Sequence, residues 1–259
     1  MARLASYRVG TGSHPTVLLH GFLGSGKNLR TLAQRWAERD PARLFLLPDL
    51  TGHGASPPLP PDAGIDTLAA DLRETIEAEG LAGPVSLVGH SLGGRVALAV
   101  VRQDPAAVQD VVLLDITPGP IDDRLSASRR VFDVLLRAPD EAPDRRTLRG
   151  FLVEGGLSPA TADWLAMNVR LDEGRAVWTF DRRALDRLQA RIGSDDLWPI
   201  VESRPVPMRA IRGGRSGYVR DEDVQRFEAA GVPVDTLPGA GHDVHVEALD
   251  ALVERLVGG

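Results

Sequence analysis

Short apolar runs alternate with stretches of helical spacing over the first half of the chain. Thr16-Val17-Leu18-Leu19 reads as a buried strand, since an unbroken apolar run of this length suits a strand covered on both faces. Leu29, Leu32, Ala33 and Trp36 follow at helical spacing. Leu44-Phe45-Leu46-Leu47 is the next strand and stops at Pro48. Asp66 reads as the cap of a helix that carries Leu68, Leu72 and Ile76 on one face and ends at Gly80. Val85-Ser86-Leu87-Val88 predicts a third strand, residues 96–101 the interior of a buried helix, and Val111-Val112-Leu113-Leu114 a fourth strand.

The rhythm breaks around Pro118 and Pro120. Residues 121–204 are rich in Arg and Asp, with helical patterns and no clear buried strand. It resumes with Met208-Arg209-Ala210-Ile211, a helix from about Asp221, a short strand over residues 232–237 and a last helix over residues 246–256. Apolar strands separated by helices predict an α/β fold whose mostly parallel sheet is covered on both faces. The middle section predicts a helical insertion, residues 119–204, over the end of a core formed by residues 1–118 and 205–259.

Composition narrows the function classes. A chain of 259 residues, 43% hydrophobic, is long enough for one sizeable core. The net charge of −6, with acids and bases interspersed, gives no reason to expect a nucleic-acid partner. Without cysteine there is no disulfide, thiolate nucleophile or Cys-based metal site. Residues 1–10 lack a signal-peptide layout, and no stretch approaches the length of a membrane span, so a cytoplasmic location is expected.

Two glycine motifs compete for the chemistry. Gly21-Phe22-Leu23-Gly24-Ser25-Gly26-Lys27-Asn28 nearly fits a phosphate-binding loop, with Asp49 available as a second metal carboxylate. Its last position fails, because Asn28 stands where a hydroxyl would hold the metal. The alternative is a glycine-rich turn with an exposed lysine. Gly89-His90-Ser91-Leu92-Gly93 is G-x-S-x-G where a buried strand gives way to a helix. A serine on so sharp a turn needs small neighbours two residues away, and the turn aims a helix N-terminus at a developing oxyanion.

A serine hydroxyl needs a base within reach. Of six histidines, His14 lies in an early loop, and His20, His53 and His90 lie inside motifs, which leaves His242 and His245. His242 follows Gly239-Ala240-Gly241 in a loop, while His245 reads as a packing or surface residue near the final helix. An acid must orient that base. Asp115 ends the strand over residues 111–114, where catalytic groups gather in parallel sheets, and strand-end capping is its alternative role. Asp221 and Asp223 fall at a helix start, where acids are favoured for capping alone.

The chain resembles the α/β-hydrolase superfamily over nearly its full length. The resemblance rests on His20-Gly21-Phe22-Leu23-Gly24, Asp49-Leu50-Thr51-Gly52-His53-Gly54-Ala55-Ser56, Gly89-His90-Ser91-Leu92-Gly93-Gly94 and Gly239-Ala240-Gly241-His242. It implies an α/β-hydrolase fold with a helical lid, Ser91 as nucleophile, His242 as base, and the N–H groups of Phe22 and Leu92 as oxyanion hole. It gives His20, Asp49 and His53 structural roles. The position where most relatives keep the acid carries Ser216 or Gly217. A subgroup of bacterial and mitochondrial esterases is similar in having Asp-Ile-(Ser/Thr/Ala)-Pro, Gly-Gly-x-Ser and Gly-Ala-Gly-His segments. Here these are Asp115-Ile116-Thr117-Pro118, Gly213-Gly214-Arg215-Ser216 and Gly239-Ala240-Gly241-His242. That resemblance makes Asp115 the acid and predicts hydrolysis of small to medium acyl esters through an acyl-enzyme. No metal and no cofactor is called for, and the expected partner is a small-molecule ester.

Trp164, Trp178 and Phe180 are candidates to line an acyl pocket, with anchoring of the insertion as their alternative role. Two rival functions stay open. A lyase of menaquinone synthesis on the same fold keeps an arginine four residues past the serine, and Arg95 stands there as a candidate substrate-binding residue. A non-catalytic binding protein on the same scaffold can retain a triad.

Overall fold

The computed structural model describes residues 2–81, 83–121 and 127–258. Seven strands form one sheet: β1 (Ser6–Val9), β2 (His14–Leu19), β3 (Arg43–Pro48), β4 (Val85–His90), β5 (Val108–Leu114), β9 (Met208–Gly213) and β10 (Val234–Leu237). Their order is β1-β3-β2-β4-β5-β9-β10. All neighbours are parallel except β1, which runs antiparallel to β3 and pairs Tyr7 with Leu47. The apolar runs of the sequence form the inner strands. The half-exposed edge strand β1 carries no such run and is not evident from periodicity.

Strand alternation explains why these runs are apolar throughout. Val17, Leu19, Leu87, Val111 and Leu113 face one core, into which helices α2 (Ile65–Ala78) and α3 (Leu92–Gln103) pack. Leu18, Val88, Val112 and Leu114 face the other, beneath α1 (Arg30–Arg39) and α11 (Leu249–Val257). The predicted helices recur with shifted ends. Helix α2 is capped by Gly64 rather than Asp66, and the Asp66 carboxylate pairs with Arg102 instead, at 2.6 Å. The final helix breaks at Ala248 into α10 (Val244–Glu247) and α11.

Between β5 and β9 the chain forms α4 (Ala127–Arg137), α5 (Arg145–Glu154), α6 (Pro159–Ala166), α7 (Arg182–Gly193) and α8 (Trp198–Ser203). Part of the expected helical stretch, residues 122–126, lies outside the described residues. The section is not wholly helical. Strands β6 (Glu141–Ala142), β7 (Val169–Asp172) and β8 (Arg175–Trp178) make a small antiparallel sheet in the order β6-β8-β7. Its hairpin turns on Glu173 and Gly174, with φ of 46° and 79°, the two positive values that a tight two-residue hairpin requires. That Glu-Gly pair was the available sequence signal. Val169 and Ala176 are the buried residues of the hairpin, too few for a visible apolar run.

One arginine ties this section to the sheet. Arg95, in the first turns of α3, is 2% exposed. Its Nη1 donates to the carbonyls of Thr117 (2.9 Å) and Gly119 (2.8 Å), and its Nη2 to those of Ile192 (2.9 Å) and Asp195 (2.7 Å). Burial lowers its pKa to about 10, against the opposing pull of Asp195 and Asp196, so it stays charged at neutral pH.

The loops at the C-terminal edge are braced by buried polar groups. Asp49 accepts the N–H groups of Gly26 and Ala55, each at 2.8 Å. His20 Nε2 accepts the N–H of Leu50 at 2.9 Å, which leaves Nδ1 to donate to the Gly21 carbonyl at 2.8 Å. His53 Nδ1 faces the Thr51 carbonyl at 3.2 Å. Burial lowers the pKa of His20 to about 4 and, together with the nearby His20, that of His53 to about 3.

Two outcomes are expected. Arg95→Met would leave four backbone carbonyls, two of them in fully buried bonds, without their donor and lower stability by about 3 kcal/mol or more, and Arg95→Lys would not restore it, because a point charge cannot replace the planar fork. Urea unfolding midpoints check this; a loss under about 1 kcal/mol would contradict it. Second, the unfolded chain protonates His20 and His53 near their ordinary value of 6.5 and the folded chain does not. The unfolded state therefore binds more protons, so stability is full above about pH 6.5 and falls as pH drops towards 4, by up to about 1.4 kcal/mol per pH unit for each histidine. Unfolding at pH 7 and pH 5 measures this slope, and His53→Gln should flatten it. A protein more stable at pH 5 than at pH 7 would contradict the sign.

Candidate active site

Ser91 lies between β4 and α3 with φ of 51° and ψ of −116°. That conformation is costly for any residue with a side chain, and persists only where the surroundings enforce it. Gly89 and Gly93 enforce it here. A Cβ on Gly89 would lie 2.4 Å from the Gly93 backbone, and one on Gly93 would lie 2.3 Å from the Leu19 carbonyl oxygen. The spacing of the motif is thus a packing requirement between β2, β4 and α3. As the first residue of α3, Leu92 has an N–H with no helical carbonyl to reach.

Asp115 directly follows β5 and also has positive φ, 48°. Its buried carboxylate accepts the N–H of Gly213 on Oδ1 at 2.9 Å, and the Ser216 hydroxyl on Oδ2. The same Oδ2 lies 2.7 Å from His242 Nδ1. The imidazole is clamped on its flat side as well: the Tyr218 ring stacks on it, 3.8 Å between centroids and 16° between planes. The backbone of His242 is held by His90, whose Nε2 lies 2.9 Å from the His242 carbonyl oxygen.

Ser91, Asp115, His242, Phe22 and Leu92 all line one cavity of about 750 Å³. Leu23, with φ of 60°, lines it too. Three of the five non-glycine residues with positive φ among the described residues therefore surround this one space, as strained residues tend to surround functional sites. The floor comes from the sheet edge. Phe132, Trp164, Met167 and Ile192 of the inserted section form much of the apolar wall. Asn168 anchors that wall, its side-chain amide donating to the Leu23 carbonyl at 2.9 Å.

The sequence-derived candidates separate clearly. Trp164 lines the cavity; Trp178 and Phe180 do not. Trp178 lies against Phe180, with 5.9 Å between centroids, and donates its Nε1–H to the Pro139 carbonyl at 3.0 Å, so it anchors the small sheet. Arg95 touches the cavity, and its terminal nitrogens are donated to four backbone carbonyls. Asp221 is far from the role of triad acid: its carboxylate is exposed and pairs with Arg212 at 2.8 Å. Asp223 accepts the Arg220 N–H at the start of α9 (Asp221–Ala229) and the Thr117 hydroxyl. The would-be phosphate loop offers no free cradle. Its Gly26 N–H is taken by Asp49, its Ser25 N–H by the Asn28 side chain at 2.7 Å, and Lys27 is exposed.

Sequence reasoning missed the supports of Asp115 and His242. Ser216 donates its hydroxyl to the Asp115 carboxylate. Tyr218 lies two residues further on. The Gly-Gly-x-Ser segment carried the signal, but only the fold brings it against β5.

Residues 16–255 match the alpha/beta hydrolase family. The mouse sn-1-specific diacylglycerol lipase ABHD11 is 30% identical over 242 residues, covering 88% of this chain and 75% of the lipase. Esterase YbfF of Escherichia coli is 26% identical over 247 residues, covering 93% and 91%. The structure of a marine microorganism esterase superposes with a TM-score of 0.88 at 24% identity, covering 100% of this chain and 99% of that one. The chain belongs to the alpha/beta hydrolase family, as an esterase- or lipase-like member of it.

Proposed function

We propose that the protein hydrolyses carboxylic esters of small to medium acyl groups through a Ser91–His242–Asp115 triad and an acyl-enzyme. The observation that carries this reading is the 2.7 Å contact between His242 Nδ1 and the buried Asp115 carboxylate, with Ser91 on a strained turn in the same cavity. Asp115 fixes the tautomer with hydrogen on Nδ1, so Nε2 is the basic nitrogen. His242 takes the Ser91 proton as Ser91 attacks the ester carbonyl, and the oxyanion is received by the N–H groups of Phe22 and Leu92. His242 then protonates the leaving alcohol. Water, activated by the same base, attacks the acyl-enzyme and releases the acid. The inserted section, residues 119–204, acts as a lid whose apolar wall receives the acyl chain. Esterase YbfF and the lipase ABHD11 support an ester substrate.

A series of p-nitrophenyl esters from acetate to octanoate tests this. Ser91→Ala should abolish turnover. Asp115→Asn should lower kcat by up to about 10⁴, the loss seen when a triad acid is replaced in the reference serine protease. Asp221→Asn should change kcat by less than about twofold. Near-normal activity of Asp115→Asn would overturn the acid assignment. Separately, Tyr218→Ala should lower kcat more than it raises KM, because the ring holds the base rather than the substrate. A pure KM effect would contradict this.

A further inference from the structure

Beside His242, whose ring lies 4.6 Å from that of His90, is a second group of side chains that touches none of the reacting atoms of the proposed reaction. His90, Asp243 and His245 each offer one ligand atom, and these atoms lie within 4.8 Å of one another. The His90 and His245 rings are 4.7 Å apart at an angle of 58°. His90 Nε2 is 4.0 Å from Asp243 Oδ1. His245 is 9% exposed, yet its Nδ1 is buried with no hydrogen-bond partner among the described residues. Both histidines border the cavity, as does Asp243. A packing histidine is expected to satisfy its ring nitrogens, so the idle Nδ1 needs an explanation.

We infer that His90, Asp243 and His245 form an inhibitory transition-metal site, whose occupation breaks the hydrogen bond from His90 to the His242 carbonyl. Two imidazoles and one carboxylate suit Zn²⁺, Ni²⁺ or Cu²⁺, whereas Mg²⁺ and Ca²⁺ prefer oxygen ligands. Tetrahedral bonds of about 2.1 Å bring ligand atoms to about 3.4 Å from one another. The exposed Asp243 side chain is free to close that gap by rotation. Three protein ligands leave a fourth position for water or for a substrate oxygen in the cavity.

The coupling to activity follows from one atom. His90 Nε2 cannot both donate to the His242 carbonyl and present its lone pair to a metal. Binding moves the ring proton to Nδ1 and removes the bond at 2.9 Å that holds the His242 backbone. His242 keeps Asp115 but loses the anchor that aims it at Ser91. This half of the inference rests on the proposed triad; the metal site itself does not.

Calorimetric titration of tag-free, chelator-treated protein with ZnCl₂ tests the site without reference to activity. The expected result is one equivalent bound, weakened at least tenfold in His245→Ala and in the surface variant Asp243→Asn, with MgCl₂ giving no heat. Turnover of p-nitrophenyl butyrate should fall with the same Zn²⁺ dependence, recover with EDTA, and show the same tenfold shift in each variant. The inference is overturned if the wild type does not bind Zn²⁺, if both variants bind it as tightly as the wild type, or if Zn²⁺ binds without slowing turnover. A wild-type protein with no metal-free turnover would count against ester hydrolysis, and the titration would still decide the site.

Discussion

The contact between Asp115 and His242 is the interaction on which the account depends, because it joins groups 127 residues apart across three elements. It exists only if β5 and β9 are parallel neighbours in the observed register, with Leu114 beside Ile211. That pairing places the Gly213 N–H on Oδ1 and brings the loop of Ser216 and Tyr218 over the carboxylate and the imidazole. A carboxylate so buried is stable as an anion only with such donors around it. The ladder, the buried Asp115 carboxylate and the clamp on His242 are therefore one arrangement.

A second constraint meets it at Ser91. The Ser91 turn is held by close approach of Gly89, Gly93 and β2, and the loop after β2 carries Phe22 and Leu23 to the same cavity. Buried His20, His53 and Asp49 hold that loop. The local strain is small beside the two apolar cores that sandwich the sheet, which is why the fold can sustain it. Arg95 extends the same logic to the inserted section, which it ties to α3 through the carbonyls of Ile192 and Asp195.

What was legible in the sequence follows from what periodicity can report. Buried parallel strands are apolar on both faces, so β2, β3, β4, β5 and β9 stand out as runs. G-x-S-x-G marks a place where backbone approaches backbone, and its serine lines the cavity, as does His242. Asp115 was legible from its strand end together with an empty position elsewhere. Edge strand β1 and the β7–β8 hairpin were not, because each buries few residues. Nor could composition distinguish Trp164 on the cavity wall from Trp178 against Pro139, since both are tryptophans in the same polar stretch. Arg95 shows the converse: its position matched a binding role, and only the carbonyls gathered from residues 117–195 reveal it as a tie.

The central claim is that this cavity holds an activated serine. Reaction with a fluorophosphonate, followed by intact mass and peptide mapping, tests it most directly. The account predicts one adduct per chain, on Ser91, formed far more slowly in His242→Ala. A folded protein that remains unmodified, or is modified elsewhere than at Ser91, would contradict it.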